Sequence, residues 1–558
     1  MNFRWLAFTC VGWFTLTVRA ALPLPEADDG GLALPPGFRA LVVADRVGRD
    51  PDGKGFGSLR FLTVTPNGDV FVKGSADGIY ALRDADGDGH AEERRRFGHG
   101  NGTGIAWRDG WLYFSTTTEV RRYRLAPGEL VPSGEPETIV TGLPVQRSHD
   151  AKSFAFDGAG RLLVEVGSPY NVYSKPDRQF GAKGMDATEF QKTYGGFWRF
   201  DASKTNQTQA DGFHFSTGHR HSLALAWNPV ATNFFMVMMG RDNLNIVDPA
   251  HYDELDNAER VAEEMHLLRE GVNLGWPYTY WDPIKNARMV CPEFGGDNRT
   301  RSTNTLYDPP LIAFPAHWAP LQMARYDGGQ FPERYRGGMF IAFHGSWNRA
   351  PRSQAGYKIG FVPFDENGLP RGGYETFADG FAGRDEFVNT RDARYRPSGV
   401  AVGPDGSLYV CETERGRVWR IFYTGETNAV RVKKTSAAAA APSAVLLGND
   451  TPGGKIYAQA CAACHMANAS GVPGLQPALA GSQVVAGDTA RLIRVVLRGP
   501  AAVLPAERER FGNVMPAFGS VLGDADVADV LNYLRRNFAP DAGTVTAAQV
   551  AAERASAP

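Results

Sequence analysis

A chain of 558 residues is too long for one ordinary domain and has ample apolar residues for a large core. Hydrophobic residues make up 43% and charged residues 22%, which excludes a disordered or fibrous chain and reads as soluble and globular. A formal net charge of −2 excludes a bulk attraction to nucleic acid or an anionic bilayer, and the run Arg94-Arg95-Arg96 reads as solvated surface.

Residues 1–20 read as a signal peptide. Arg4 gives a positive start, Trp5 to Val18 is mostly apolar, and Val18-Arg19-Ala20 offers a small-residue cleavage site. Export predicts a periplasmic or secreted protein. The apolar run is too short for a confident membrane span, and no later stretch is long and apolar enough to cross a bilayer. Of five cysteines, Cys10 leaves with the signal, while Cys291 and Cys411 have no assigned chemistry. An oxidising compartment permits a disulfide between those two without requiring one.

From 35 to 423 the chain is rich in Gly, Asn, Asp and Pro, and short apolar runs recur in pairs about tight turns. Phe61 to Thr65 turns at Asn67-Gly68 into Val70-Phe71-Val72. Ile105-Ala106-Trp107 turns at Asp109-Gly110 into Trp111 to Phe114. Phe154-Ala155-Phe156 precedes Leu162-Leu163-Val164, and Leu223 to Trp227 precedes Phe234 to Val237. Met323 to Tyr326 precedes Met339 to Ala342, and Val400-Ala401-Val402 turns at Asp405-Gly406 into Leu408-Tyr409-Val410. Asn-Gly and Asp-Gly supply the positive φ angles of two-residue hairpins. Six such pairs with long insertions predict a six-bladed β-propeller, because a β-sandwich of this length would be oversized.

Within this region Asp84-Ala85-Asp86-Gly87-Asp88-Gly89, with Glu92 behind it, resembles the start of a calcium loop. Arg95 stands where an EF-hand places its bidentate Glu, so a partial structural Ca²⁺ loop at Asp84, Asp86 and Asp88 competes with a plain acidic turn. His149, Arg220 and the pair Arg394 and Arg396 each precede a strand pair. In a propeller such positions converge at one mouth of the central channel, where one His and three Arg would bind a compact, multiply charged anion. A lone His in a loop is more often bonded to backbone, and His317 is equally a channel residue or ordinary packing.

Residues 424–449 read as a semi-flexible linker: Lys433-Lys434-Thr435-Ser436 runs into five alanines. From 450 to 538 the period changes to helical. Thr451-Pro452 opens one helix, Asp488 caps a second carrying Leu492, Ile493, Val496 and Leu497, and a third follows Asp524. Between them lies Cys461-Ala462-Ala463-Cys464-His465, the attachment spacing of a covalent haem c. Cys461 and Cys464 would carry the thioether bonds and His465 would ligate the iron. Zinc would want two further ligands nearby, and none follow. Met515 is the candidate sixth ligand, since Met466 is too close to reach the opposite face. His/Met ligation suits electron transfer. The segment resembles a small class I cytochrome c, and the alanine-rich tail 539–558 is expected to be disordered. The fold class predicted is mainly β, a six-bladed propeller followed by a small all-α cytochrome c domain.

Longer motifs carry a second resemblance. Gly218-His219-Arg220, Asn273-Leu274-Gly275-Trp276-Pro277, Phe331-Pro332-Glu333-Arg334-Tyr335-Arg336-Gly337 and His344-Gly345-Ser346-Trp347-Asn348-Arg349, with Tyr357-Lys358 and Arg394-Tyr395-Arg396, span most of the region. They resemble the soluble PQQ-dependent aldose (glucose/sorbosone) dehydrogenases, and the sorbosone branch most. That resemblance implies His149 as catalytic base and Arg220 beside the reacting quinone carbonyl. It implies PQQ contacts from Arg220, His221, Lys358, Arg394 and Arg396. Arg349 is an alternative to Lys358, and the family's usual Asn is His221 here. It also implies a site Ca²⁺ held by backbone carbonyls, aligned here to Gly240 and Arg241, with Asp242 as a possible charged addition. The function implied is oxidation of a sugar or related alcohol, with electrons passed to the tethered haem and on to a downstream cytochrome or respiratory acceptor. A calcium-dependent propeller hydrolase and a non-catalytic binding propeller are the competing readings. The haem favours the first, because a haem needs an electron source.

Overall fold

The computed structural model describes residues 22–48, 58–75, 78–425, 451–465, 469, 477–504, 515 and 517–556. The signal 1–20 and nearly all of the linker lie outside the described residues.

Residues 38–423 form six sheets of four or five strands, each a propeller blade. The six hairpins expected from the sequence are the two inner strands of the six blades. In the second blade, Asp109 (φ 51°) and Gly110 (φ 81°) are both left-handed, the backbone of a type I′ turn. The second strands Val70–Gly74, Leu162–Val166 and Leu408–Glu412 are buried at every position, since neighbouring blades cover both their faces. The ring is closed by the N-terminus. Phe38–Ala44 is the outer strand of the last blade and runs antiparallel to Val418–Tyr423, with Phe38 opposite Tyr423. Phe38 locks that strand among Phe331, Tyr335 and Phe377, with ring centroids 4.8, 5.3 and 5.0 Å away. Near the axis, Gln322 ties three blades together: its amide donates to Leu62 O (2.9 Å) and accepts from Leu62 N (2.9 Å) and Val400 N (3.0 Å).

The inner strand of the first blade, Leu59–Val64, slips register between Leu59 and Leu62. Such bulges re-aim side chains, and this one bears Arg60. Cys291 and Cys411 are free, buried thiols in different core clusters, so the permitted disulfide is not formed.

The C-terminal region is helical. Thr451 Oγ1 accepts the N–H of Gly454 (3.2 Å), and Asp488 accepts that of Arg491 (2.7 Å) ahead of Thr489–Arg498. The long helix Asp524–Phe538 crosses the first helix at Gly453, where a Cβ would stand 2.1 Å from Asp529 O, so only glycine permits the approach. The tail corrects the expectation of disorder. Ala547–Ala555 is a helix started by a Thr546–Gln549 capping box. It is held because Val545 and Val550 enter the core and Arg554 reaches Asp524 Oδ1 (2.7 Å) and Leu522 O (2.9 Å). Alanine-rich composition hid two core residues and an anchoring arginine. Among the described residues no helix is long and apolar enough to cross a membrane.

Candidate active site

A cavity of about 530 Å³ opens where the blade-connecting loops meet, and His149, Arg220, His221, Asp242, Arg396 and Arg60 all line it. His149 sits in a left-handed backbone conformation (φ 53°), and its Nδ1 lies 2.6 Å from Ser168 O. A carbonyl can only accept, so Nδ1 carries the proton and Nε2 offers a lone pair. Burial, then the charge of Arg220 and the His221 ring, holds the His149 pKa well below the usual imidazole value; the Ser168 bond and Asp242 act the other way. His149 is therefore neutral at neutral pH.

Arg220 is buried and fixed from behind. Its Nη2 donates to Asp242 Oδ2 (2.7 Å) and its Nε to Asn171 Oδ1 (3.2 Å), leaving Nη1 without an acceptor among the described residues. Asp242 is the hub of this wall. Oδ2 also accepts from Arg178 (3.0 Å), and Oδ1 accepts from Asn348 Nδ2 (2.7 Å) beside His317 Nδ1 (3.4 Å). Burial pushes the Asp242 pKa up, but Arg220, His317 and Arg178 outweigh it and hold the carboxyl well below the usual range. Asp242 is thus an ion-pair centre with its oxygens committed, not the spare cation ligand considered from the sequence. His317 does face the cavity, and its Nε2 lies 2.6 Å from Asn257 O.

The opposite wall is cationic. Arg396 donates to His344 O (3.2 Å) and Gly345 O (2.8 Å), which aims its head inward. Arg60 has no hydrogen bond or ion pair from its guanidinium among the described residues. Burial, then the charge of Arg396, lowers its pKa, with Asp150 and Glu414 opposing. His344 stands with them, its Nε2 3.1 Å from Thr413 Oγ1, kept neutral by burial and by both arginines. Two half-buried guanidiniums that repel each other, with Glu414 3.9 Å from Arg396, offer the donors that a polyanion takes.

Three further expectations are corrected. Arg394 does not reach the cavity: Ala393 and Tyr395 enter the core, which turns Arg394 outward over the Tyr395 ring (5.1 Å). Lys358 points elsewhere, pairing with Asp379 (3.0 Å) and lying 5.2 Å from the Trp318 ring. Its alternative, Arg349, is buried as a cross-tie to Ala258 O (2.8 Å) and Ala316 O (3.2 Å). Reading missed Arg60 and Arg178. The one sequence signal for Arg60 was a charge breaking the apolar run Leu59-Arg60-Phe61-Leu62; Arg178 gave none.

For a cation, the Gly240 and Arg241 carbonyl oxygens accept no hydrogen bond among the described residues. The Arg241 side chain turns away to Glu293 (2.5 Å). Glu263 lies beside them, its oxygens accepting from Gly240 N (2.8 Å) and Ala319 N (2.9 Å). Burial first, with Asp242 adding, pushes its carboxyl up to about 7 against the pull of those bonds and of His317. A buried carboxyl beside unbonded carbonyls fits a divalent cation. Separately, Asp84, Asp86, Asp88 and Glu92 bring carboxylate oxygens within 4.8 Å of one another, and Asp84 also accepts the N–H groups of Gly87 (2.7 Å) and Gly89 (2.8 Å).

In the helical domain, His465 Nδ1 lies 2.9 Å from Pro477 O, which fixes the tautomer that leaves Nε2 for a metal. Cys461 and Met515 pack on the same core cluster. The Cys464 side chain is outside the described atoms.

Residues 53–424 match the family described as TrAA12-like. The chain belongs to the TrAA12-like family. Residues 448–534 match the family described as cytochrome C oxidase, cbb3-type, subunit III, so the helical region is a cytochrome c domain. Both agree with the resemblances drawn from the motifs. The TrAA12-like propeller superposes on a Trichoderma reesei structure of Carbohydrate-Active Enzymes Family AA12 with a TM-score of 0.55 and 18% identity. That match covers 70% of this chain and 97% of the other. It superposes on the holo PQQ domain of Coprinopsis cinerea pyranose dehydrogenase with a TM-score of 0.54 and 20% identity, again over 70% and 97%. These likenesses establish the fold. An uncharacterised protein of Borreliella burgdorferi is 26% identical over 330 residues, 57% of this chain and 75% of that one. The cytochrome c subunit of Gluconobacter oxydans quinone alcohol dehydrogenase is 33% identical over 104 residues, 18% of this chain and 22% of the subunit. That of Pantoea cypripedii gluconate 2-dehydrogenase is 39% identical over 112 residues, 19% and 25%. The chain thus spans a quarter or less of each cytochrome subunit.

Proposed function

We propose that this TrAA12-like protein is a periplasmic quinohaemoprotein that uses PQQ and Ca²⁺ to oxidise an aldose or related alcohol and passes the electrons to its own haem c. The observation that carries the reading is the pairing in one cavity of a neutral His149, its Nε2 free, with the partnerless Arg60 beside Arg396. A base faces a site for a polycarboxylate, in a chain that also carries a haem-attachment motif.

Arg60 and Arg396 would hold PQQ carboxylates, with His344 and His221 alongside. Gly240, Arg241 and Glu263 would hold the Ca²⁺. PQQ, polarised by Ca²⁺, supplies the two-electron oxidant. The rest is the work of the chain. Nε2 of His149 takes the proton of the sugar hydroxyl, and the Ser168 carbonyl keeps the ring in the tautomer that can do so. Arg220, oriented by Asp242 and Asn171, presents Nη1 to developing negative charge; one such donor is worth about 10²–10³ in rate. Buried walls exclude water. The tether keeps the haem domain at high local concentration about the propeller. The electrons then leave for a soluble cytochrome or the respiratory chain.

The test is reconstitution. Purified protein incubated with PQQ and Ca²⁺ is mixed anaerobically with a panel of aldoses while the haem absorbance is followed. Reduction of haem that needs PQQ, Ca²⁺ and sugar together supports the assignment. No reduction by any aldose or alcohol, with dithionite still reducing the haem, overturns it in favour of a binding or hydrolytic propeller.

A further inference from the structure

Behind His221, which lines the cavity, stands a buried carboxylate to which the proposed reaction gives no role. Glu165, on the buried second strand of the third blade, has no exposed surface. Its Oε1 accepts from His221 Nδ1 (3.1 Å) and Ser222 N (3.2 Å), while Oε2 is buried without a hydrogen bond among the described residues. Lys152, equally buried, donates to Asp150 O (2.9 Å) and lies within the field of Glu165 without a hydrogen bond to it. Desolvating a carboxylate is costly, so its retention behind one imidazole calls for a reason.

That carboxylate can only accept, so the neutral His221 ring carries its hydrogen on Nδ1 and leaves Nε2 as an acceptor. Nε2 has no protein hydrogen bond among the described residues, and His221 lines the cavity. The ring stacks on His149 with centroids 4.6 Å apart and planes at 27°. Two imidazole acceptors therefore stand side by side with unlike backing. A proton on His149 faces the Arg220 guanidinium, whereas a proton on His221 makes an imidazolium against a carboxylate.

The stoichiometry asks for two acceptors. An aldose going to its lactone gives up two electrons and two protons. A haem iron takes one electron at a time and no proton, so over a turnover both protons leave through the protein. We propose that His221, oriented by Glu165, is the second proton acceptor of this site: His149 takes the hydroxyl proton, and His221 takes the one released as the electrons pass from the reduced cofactor to the haem. This rests on the dehydrogenase reading above. The asparagine of the resembling family could not serve, since an amide does not take up a proton in this pH range.

Two measurements test it. In stopped flow, the sugar-driven reduction of the quinone and the later haem reduction are followed separately in wild type, Glu165→Gln and His221→Asn. The ratio of the haem rate to the sugar-driven rate should fall at least about 10²-fold in both variants, the low end of a lost proton acceptor. The solvent deuterium isotope effect should grow in the haem phase. Equal slowing of both phases, the mark of a merely structural role, would overturn the proposal, as would no change in either. The second measurement uses wild-type protein without cofactor: ¹⁵N NMR should find the hydrogen of His221 on Nδ1, and Glu165→Gln should mix the tautomers. A wild-type hydrogen on Nε2 would overturn the proposal, and so would a variant whose tautomer is unmoved. If no aldose reacts at all, it is the dehydrogenase reading that falls, and the NMR result still decides the role of Glu165.

Discussion

Replacing Arg60 by alanine should separate cofactor binding from fold stability in a way few substitutions can. The guanidinium has no protein partner among the described residues and sits within the field of Arg396. Its loss strands no acceptor and removes a like-charge repulsion, so the melting temperature of the cofactor-free protein should hold or rise. A charge-assisted hydrogen bond is worth about 1.5–3 kcal/mol, which is roughly a 10- to 150-fold loss of PQQ affinity at about 1.4 kcal/mol per decade. Arg396→Ala should differ. It loses the same contact but also strands the carbonyls of His344 and Gly345. Each unsatisfied buried acceptor costs about 1–3 kcal/mol, so here affinity and stability should fall together. Arg394→Ala, outside the cavity, should change neither. Titration of PQQ by tryptophan fluorescence with Ca²⁺ present, and thermal melts without PQQ, give both axes. An apo protein destabilised by Arg60→Ala, or an unchanged affinity, would refute the anion-site reasoning.

Other outcomes follow from the same geometry. His149→Gln should slow sugar-driven haem reduction by about 10²–10⁴-fold with dithionite reduction unchanged; an unchanged sugar-driven rate would place the base elsewhere. Because burial depresses the His149 pKa, its base form persists as pH falls through 6.5. The single-turnover rate should therefore decline only at clearly lower pH, and a midpoint at or above 6.5 would contradict the buried setting. His219 is fully buried with its pKa lowered to about 3, chiefly by burial, so the unfolded chain binds a proton that the folded one does not. Its contribution is whole above pH 6.5 and is lost as pH falls towards 3, at up to about 1.4 kcal/mol per pH unit. His219→Asn should flatten that slope in melts, and stability that rises on acidification would contradict it. Met515→Ala should keep covalent haem but lose the methionine–iron band and lower the potential; an unaltered spectrum would exclude Met515 as ligand.

Three of the six inner hairpins were legible because their turns need positive φ, which Asn67-Gly68, Asp109-Gly110 and Asp405-Gly406 advertise; the other three were read from paired apolar runs alone. Outer strands gave no such signal. Glu93–Phe97 is the outer strand of the first blade, yet its Arg94-Arg95-Arg96 reads as solvated surface, which it also is. The helical domain declared itself through caps and period, while the tail helix hid behind alanine. In the site, His149, Arg220 and Arg396 could be named because each stands just before an inner strand, and His221 only through the family resemblance. Arg394 was misjudged because adjacency in sequence says nothing of which side the backbone presents. Arg60 depends on a bulge, and Arg178 on a left-handed backbone (φ 58°), neither written in residue spacing.

The Gln322 bridge has a consequence for traffic. Leu321 lines the cavity, and one residue further along the strand the amide spans three blades. Beside it, a Cβ on Gly399 would strike Cys411 Sγ (2.6 Å), Arg60 O (2.7 Å) and Gln322 Oε1 (3.0 Å), so the strands there pack without room for a side chain. Where these three blades meet, the cavity therefore has a floor. Whatever binds deepest must enter first and leave last, so a sugar seated above the cofactor blocks its escape. Saturating sugar should therefore slow the loss of PQQ by dilution, and exchange of the cofactor should be fastest in the intervals between turnovers.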